Sequence, residues 1–133
     1  MSLRIQRSVF EEILAHARKD APIEACGYIG SENDLAISSI PLTNADHSPE
    51  HFSFDPAEQF AAVRALRRGG LSLCAVYHSH PASPARPSQE DIRLAYDPSI
   101  FYVIVSLAAA QPEFKAFHIQ SGIAKPEPVE FVD

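Results

Sequence analysis

An α/β fold with a mixed central β-sheet flanked by helices follows from two patterns in the chain. Apolar residues recur at helical spacing over residues 7 to 18 and 57 to 68, and five short runs of strand-forming residues are distributed around them. Clusters of Gly, Pro, Asn, Asp and Ser separate these runs, as turns require. No repeat, low-complexity segment or linker interrupts residues 1–133, so one domain is expected, long enough to bury a single core.

The elements follow in order. Val9, Phe10, Ile13, Leu14 and Ala17 share one face of a first helix, which Asp20-Ala21-Pro22 ends. Residues 23 to 30 and 35 to 42 read as strands, joined through Ser31-Glu32-Asn33-Asp34, a polar turn typical of a hairpin. Residues 43 to 55 form a loop. Pro56 suits the first position of a helix, where its missing N–H is not needed, and Phe60, Ala61, Val63 and Leu66 carry that helix to Gly69-Gly70. Leu71-Ser-Leu-Cys-Ala-Val-Tyr77 is apolar enough for a buried strand, with His78 and His80 at its end and Pro81 stopping it. Residues 82 to 87 are a loop stiffened by Pro84 and Pro87, after which Ser88 reads as a helix N-cap with Asp91 one turn in. Residues 100 to 107 are a strongly apolar strand, Gln111-Pro112 a turn, and residues 114 to 119 alternate as a half-buried strand does. Pro126 and Pro128 suit the tail to a sheet edge.

Composition bounds the function. Hydrophobic residues make up 46% and charged residues 21%, a globular balance, and the net charge of −6 argues against general binding to nucleic acid. Arg64, Arg67 and Arg68 recur at helical spacing, so a solvated helix face is the plain reading and a docking patch for an acidic partner the other. No run approaches a membrane span, and the first residues lead into a helical pattern rather than a secretory signal. With only two cysteines and no disulfide framework, a cytoplasmic setting is expected. Cys26 and Cys74 lie in apolar strands, where core packing is expected of both.

Chemistry concentrates in His78-Ser79-His80-Pro81, followed by Ser88 and Asp91. Side chains two apart on a strand point the same way, so both imidazoles can converge on one ion, and the helix start returns Asp91 toward them. Two neutral imidazoles and one carboxylate make an ordinary set of three zinc ligands, leaving a position open for the water that such a site activates. Taken singly, each feature has a plainer reading: a chance His-x-His, a Ser88 that only caps a helix, surface histidines at His47 and His51 in a polar loop, and ordinary ones at His16 and His118.

Together these residues resemble the JAMM/MPN metalloprotease family, whose pattern is a glutamate far upstream, then His-x-His-Pro, then Ser-x-x-Asp. Glu24-Ala25-Cys26-Gly27 is similar to the family's upstream strand, and Phe52 to Pro56 fits a segment that follows it. The resemblance implies the family's deaminase-like layered fold. It also implies that His78, His80 and Asp91 hold zinc, that Glu24 is the general acid/base, and that Ser88 helps stabilise the oxyanion. Family members cleave after the C-terminal glycine of ubiquitin-like proteins. The segment from Ala95 to Ile100 is too short for the insertion of chain-cleaving members, so the resemblance points to the compact prokaryotic type acting on ubiquitin-like sulfur-carrier proteins. The alternatives are a non-catalytic MPN scaffold, which is expected to lose ligands that are kept here, and a RadC-like DNA-repair-associated protein, which does not share the Glu24 strand.

Overall fold

The computed structural model describes residues 1–133 throughout. Strand β1 (Leu3–Gln6) runs straight into helix α1 (Arg7–Asp20), followed by β2 (Cys26–Glu32), β3 (Leu35–Leu42) and α2 (Pro56–Arg68). Then come β4 (Ser72–His80), α3 (Gln89–Leu94), β5 (Phe101–Ser106), β6 (Glu113–Gln120), β7 (Ile123–Glu127) and β8 (Val129–Val132). All eight strands join one mixed sheet in the order β7-β6-β5-β4-β2-β3-β1-β8, parallel where β4 meets β5 and where β1 meets β3 and β8. No helix is long and apolar enough to cross a membrane.

The period of two along each central strand divides the core. Ala75 and Tyr77 of β4 and Val103 and Val105 of β5 face α1, meeting Val9, Ile13 and Ala17, the stripe expected to be buried. The intervening residues face the other side. There Val76 packs in a cluster with Cys26, Tyr28, Leu42 and Ala62 of α2, while Ile104 joins Phe117, Ile119 and the α3 residue Ile92. His78 and His80 point to this second side, between α2 and α3.

Turn chemistry fixes the hairpins. Asn33 and Asp34 take φ of 52° and 62°, and Ser121 and Gly122 take 54° and 77°, so each pair closes a two-residue turn whose twist matches its strands. Gly27 is required by packing: a Cβ there would lie 2.4 Å from the Ile40 carbonyl oxygen and 2.5 Å from the Tyr77 ring.

Three features differ from the sequence expectation. β1 lies in the segment read as leading into the helix; four residues are too few to show a period, and pairing with β3 and β8 makes them a strand. Strand β2 begins at Cys26 rather than at residue 23, because the Glu24 N–H bonds the Ser48 carbonyl at 2.9 Å instead of entering a ladder. The tail forms two edge strands, not one: only Pro128 separates β7 from β8, yet they lie at opposite ends of the strand order. The sheet therefore curls around α1, and Phe10 meets Phe114 of β6 at 5.2 Å and Phe131 of β8 at 5.0 Å between ring centroids.

Candidate metal centre

The last residues of β4 carry two imidazoles on one face. His78 and His80 are both buried, and their Nε2 atoms stand 3.1 Å apart. Asp91 closes the triangle, its Oδ2 lying 3.1 Å from His78 Nε2 and 3.2 Å from His80 Nε2. A capping box aims that carboxylate: the Asp91 N–H donates to Ser88 Oγ at 3.0 Å, and the Ser88 N–H donates to Asp91 Oδ2 at 2.9 Å. Ser88 thus does the plain job of an N-cap, and since its Oγ accepts there, its hydroxyl hydrogen remains available to donate elsewhere.

The donor set and its spacing suit a metal. Tetrahedral ligands at about 2.0–2.1 Å from a zinc ion stand about 3.3 Å from one another, close to the separations found in this triangle. The Pro84 carbonyl oxygen lies 2.8 Å from His80 Nδ1, which must therefore carry a hydrogen, so that Nε2 is the nitrogen whose lone pair the neutral ring offers to a metal at the shared point. Phe52 stacks on the His78 ring at 4.7 Å between centroids and an interplanar angle of 29°, fixing its plane from the solvent side. Burial pushes the Asp91 carboxyl up, but hydrogen bonds with the His78 and His80 rings and with the Ser88 N–H outweigh it and hold the group well below the usual carboxylate range. His80 goes the other way: burial disfavours its charge, while the Asp91 carboxylate and the Pro84 carbonyl favour it more. The ionised Asp91 carboxylate supplies the negative charge that a cation at this point would meet.

Glu24 stands apart from the three ligand atoms but shares their electrostatics. It is 3% exposed, and its Oε1 is buried without a hydrogen-bond partner. Burial is the main cause that pushes its pKa up to about 8; His80 pulls it down, and Asp91, Glu90 and Glu50 push it further up. Leaving a buried carboxyl oxygen unpaired costs on the order of 1–3 kcal/mol, a cost that packing gives no reason to bear.

Two residues that position Glu24 escaped the sequence reading. Ser79, the spacer of His-x-His, turns to the opposite face, where its Oγ accepts the Ala25 N–H at 2.7 Å and its own N–H donates to the Ala25 carbonyl at 2.9 Å. Asn44, 3% exposed, donates from its amide to the Glu24 and His51 carbonyls, each at 3.0 Å, and its Oδ1 accepts from the Asp46 N–H at 3.0 Å. It thereby clips the loop that delivers Phe52 onto the backbone that carries Glu24. No local pattern marks either polar residue; the pairing of β2 with β4 reveals Ser79, and the pairing of β2 with β3 brings Asn44 to Glu24.

The remaining candidates lie elsewhere. His51 faces Glu90 at 3.8 Å, and His47 joins His16 along a cleft beside α1. His16 is not ordinary: it bonds the buried Tyr77 hydroxyl at 2.7 Å and Asp20 at 3.0 Å. His118 pairs with Glu127. Both cysteines are free, burial pushes the thiols of Cys26 and Cys74 up to about 12 and about 11, and neither joins the ligand cluster.

Comparison with known proteins converges on one family. The family described as prokaryotic homologs of the JAB domain matches residues 6–120. The CysO-cysteine peptidase of Mycobacterium tuberculosis is 37% identical over 134 residues, covering 98% of this chain and 92% of that protein. A probable TtuB-protein conjugate cleaving protease of Thermus thermophilus is 42% identical over 94 residues, 70% of this chain and 63% of its own. A solution structure of a protein from Desulfitobacterium hafniense superposes with a TM-score of 0.90 at 44% identity, covering 100% of this chain and 94% of that one.

Proposed function

The chain belongs to the prokaryotic homologs of the JAB domain, the compact prokaryotic JAMM/MPN type, and is a JAMM-type hydrolase; from that footing we propose that it is a zinc peptidase in which His78, His80 and Asp91 hold the metal and Glu24 moves the proton. The observation that carries this reading is the triangle of candidate ligand atoms with sides of 3.1 to 3.2 Å, together with a buried, unpaired Glu24 oxygen.

Zinc held there supplies Lewis acidity, polarising a scissile carbonyl and making water acidic near neutral pH. The protein's own groups do the rest. The Glu24 carboxylate accepts the proton of the attacking water and returns it to the leaving amine, a transfer suited to a carboxyl whose pKa is pushed toward neutrality. The Ser88 hydroxyl, anchored as a cap, donates its free hydrogen to the developing oxyanion. Asp91 and the His80–Pro84 contact keep the ligand atoms in place.

The substrate is a ubiquitin-like sulfur-carrier protein, cleaved after its C-terminal glycine to release an amino acid such as cysteine or a short tail. The names of the two curated relatives, a CysO-cysteine peptidase and a TtuB-conjugate protease, support this class. Two free cysteines suit a reducing cytoplasm. A non-catalytic scaffold has no use for an unpaired buried carboxyl, and all three ligands are retained.

The test is zinc bound per chain together with hydrolysis of a carrier protein bearing a C-terminal cysteine adduct. One zinc per chain and chelator-sensitive release of cysteine are expected. A chain that takes up no zinc on reconstitution, or holds it without hydrolysing any carrier adduct, overturns the proposal.

A further inference from the structure

Strand β5 reads Phe101-Tyr-Val-Ile-Val-Ser106, and its last residue breaks a run of aromatic and branched side chains. Ser106 is 1% exposed, and the parallel pairing of β4 with β5 sets it opposite His80. Two residues beyond Ile104, it shares that residue's face and projects to the side of the sheet that carries the imidazoles. Burial at such a place favours an apolar side chain, and a hydroxyl is tolerated only with partners. Both partners here are backbone groups: Ser106 Oγ donates to the Ser83 carbonyl at 2.6 Å and accepts the Ala108 N–H at 3.2 Å.

The Ser83 carbonyl belongs to the loop that joins β4 to α3. Because Pro84 has no N–H, the peptide between residues 83 and 84 has its carbonyl as its only hydrogen-bonding group, and Ser106 occupies it. The next carbonyl along, that of Pro84, takes the hydrogen of His80 Nδ1 at 2.8 Å. On the far side of Pro84 the loop is fixed again, by the Ala85 methyl packed among Ile104, Phe117 and Ile119 and by the Arg86 N–H donating to the Pro84 carbonyl at 2.8 Å. The contacts close a ring: His80 to Pro84, Ser83 to Ser106, and back through the Leu107 N–H, which donates to the His80 carbonyl at 3.1 Å.

Resting on the reading of His80 as a zinc ligand, we propose that Ser106 is a positioning residue for the metal centre. By holding the Ser83 carbonyl it keeps the Pro84 carbonyl on His80 Nδ1, which fixes the plane of the ring and reserves Nε2 for the metal. It touches neither metal nor substrate, and it acts through two backbone carbonyls of the loop.

The test measures zinc affinity by competition with a chromophoric chelator, and the exchange rate of the His80 Nδ1 hydrogen by NMR of the zinc-loaded chain. In the wild type that hydrogen, held on a carbonyl, exchanges slowly. Ser106→Ala should expose it to exchange and weaken zinc binding about tenfold, the lower end of what loss of a partner behind a ligand brings. Ser106→Cys keeps a side chain of similar size with a weaker donor; it should fall between the two, and it carries the test if the alanine chain does not fold. Val105→Ala is the control. It alters the neighbouring residue, which is fully buried against α1 on the opposite face, and leaves a cavity there. That variant should lose stability in urea yet keep wild-type zinc affinity and slow exchange. Wild-type affinity and exchange in the Ser106 variants, or an equal loss in Val105→Ala, overturns the positioning role while leaving the ligands as assigned. Failure of every chain, wild type included, to take up zinc overturns the ligand reading and the role of Ser106 with it.

Discussion

Replacing Glu24 by glutamine separates the roles of metal and protein, because the substitution keeps the shape of the side chain and removes only its ability to ionise. The three ligand atoms come from β4 and α3, so zinc content is expected to stay at wild-type level. Turnover should fall by about 10²–10⁴, the usual contribution of a positioned acid/base. A second consequence concerns the metal-free chain. Glu24 has its pKa pushed from 4.5 up to about 8 in the fold, chiefly by burial, so between those pH values the folded chain holds a proton that the unfolded chain releases. Stability contributed by the protonated group is present in full below about pH 4.5 and is lost as pH rises toward 8. The amide of E24Q has no such proton to lose and escapes that decline. A displacement of this size corresponds to at most about 5 kcal/mol, and screening by solvent at the open side of the site brings the expected gain at pH 8 to about 1–2 kcal/mol. Thermal unfolding in the presence of chelator should therefore give E24Q a Tm higher by roughly 3–10 °C at pH 8, the gap closing toward pH 4.5. Wild-type turnover in E24Q would remove Glu24 from the mechanism, and a Tm difference independent of pH would show that its carboxyl is not the buried, unpaired group described above.

Other substitutions probe the neighbours. Asp91→Ala or His80→Ala should abolish stoichiometric zinc binding and hydrolysis together, read by metal analysis of purified protein; unchanged metal in both would mean that the ligands lie elsewhere. Asn44→Ala strips hydrogen bonds from the Glu24 and His51 carbonyls and should cost about 2–4 kcal/mol in denaturant unfolding. The same variant should lower kcat more than it raises KM, because Glu24 is displaced while the ligands stay; a KM effect alone would speak against a positioning role. Gly27→Ala drives a methyl to 2.4 Å from the Ile40 carbonyl and should destabilise by about 1–3 kcal/mol or more, with urea unfolding as the measure; a neutral result would mean that β2 and β3 separate more easily than their pairing indicates.

The triangle of candidate ligand atoms was readable from sequence because it is local. His78 and His80 need only the period of a strand, and Asp91 needs only a helix start that Ser88 announces, so spacing alone predicts their convergence. The central strands were legible for the same reason: each carries its own apolar pattern, and the hairpin turns carry their own residue chemistry. What escaped were elements whose structure is imposed by partners. Four residues of β1 and four of β8 have no period of their own and become strands by pairing with each other. The curl of the sheet likewise depends on Phe10, Phe114 and Phe131 meeting around α1, far apart in the chain.

Glu24 illustrates the limit most sharply. Nothing in its neighbours marks it as reactive, and resemblance to a family was the only signal in the sequence that singled it out. In the fold the reason becomes physical: Ala25 and Ser79, 54 positions apart, exchange hydrogen bonds through Ser79 Oγ and the paired backbones. The residue before Ala25 and the residues on either side of Ser79 are therefore brought together by one contact. In His-x-His the variable-looking middle position faces away from the candidate metal position, and here it is what joins the carboxyl proposed as acid/base to the imidazoles proposed as ligands. Ser79→Ala should on this reasoning leave zinc in place, weaken the fold by about 1–3 kcal/mol through the orphaned Ala25 N–H, and lower kcat; loss of stability with kcat intact would confine Ser79 to holding the sheet together.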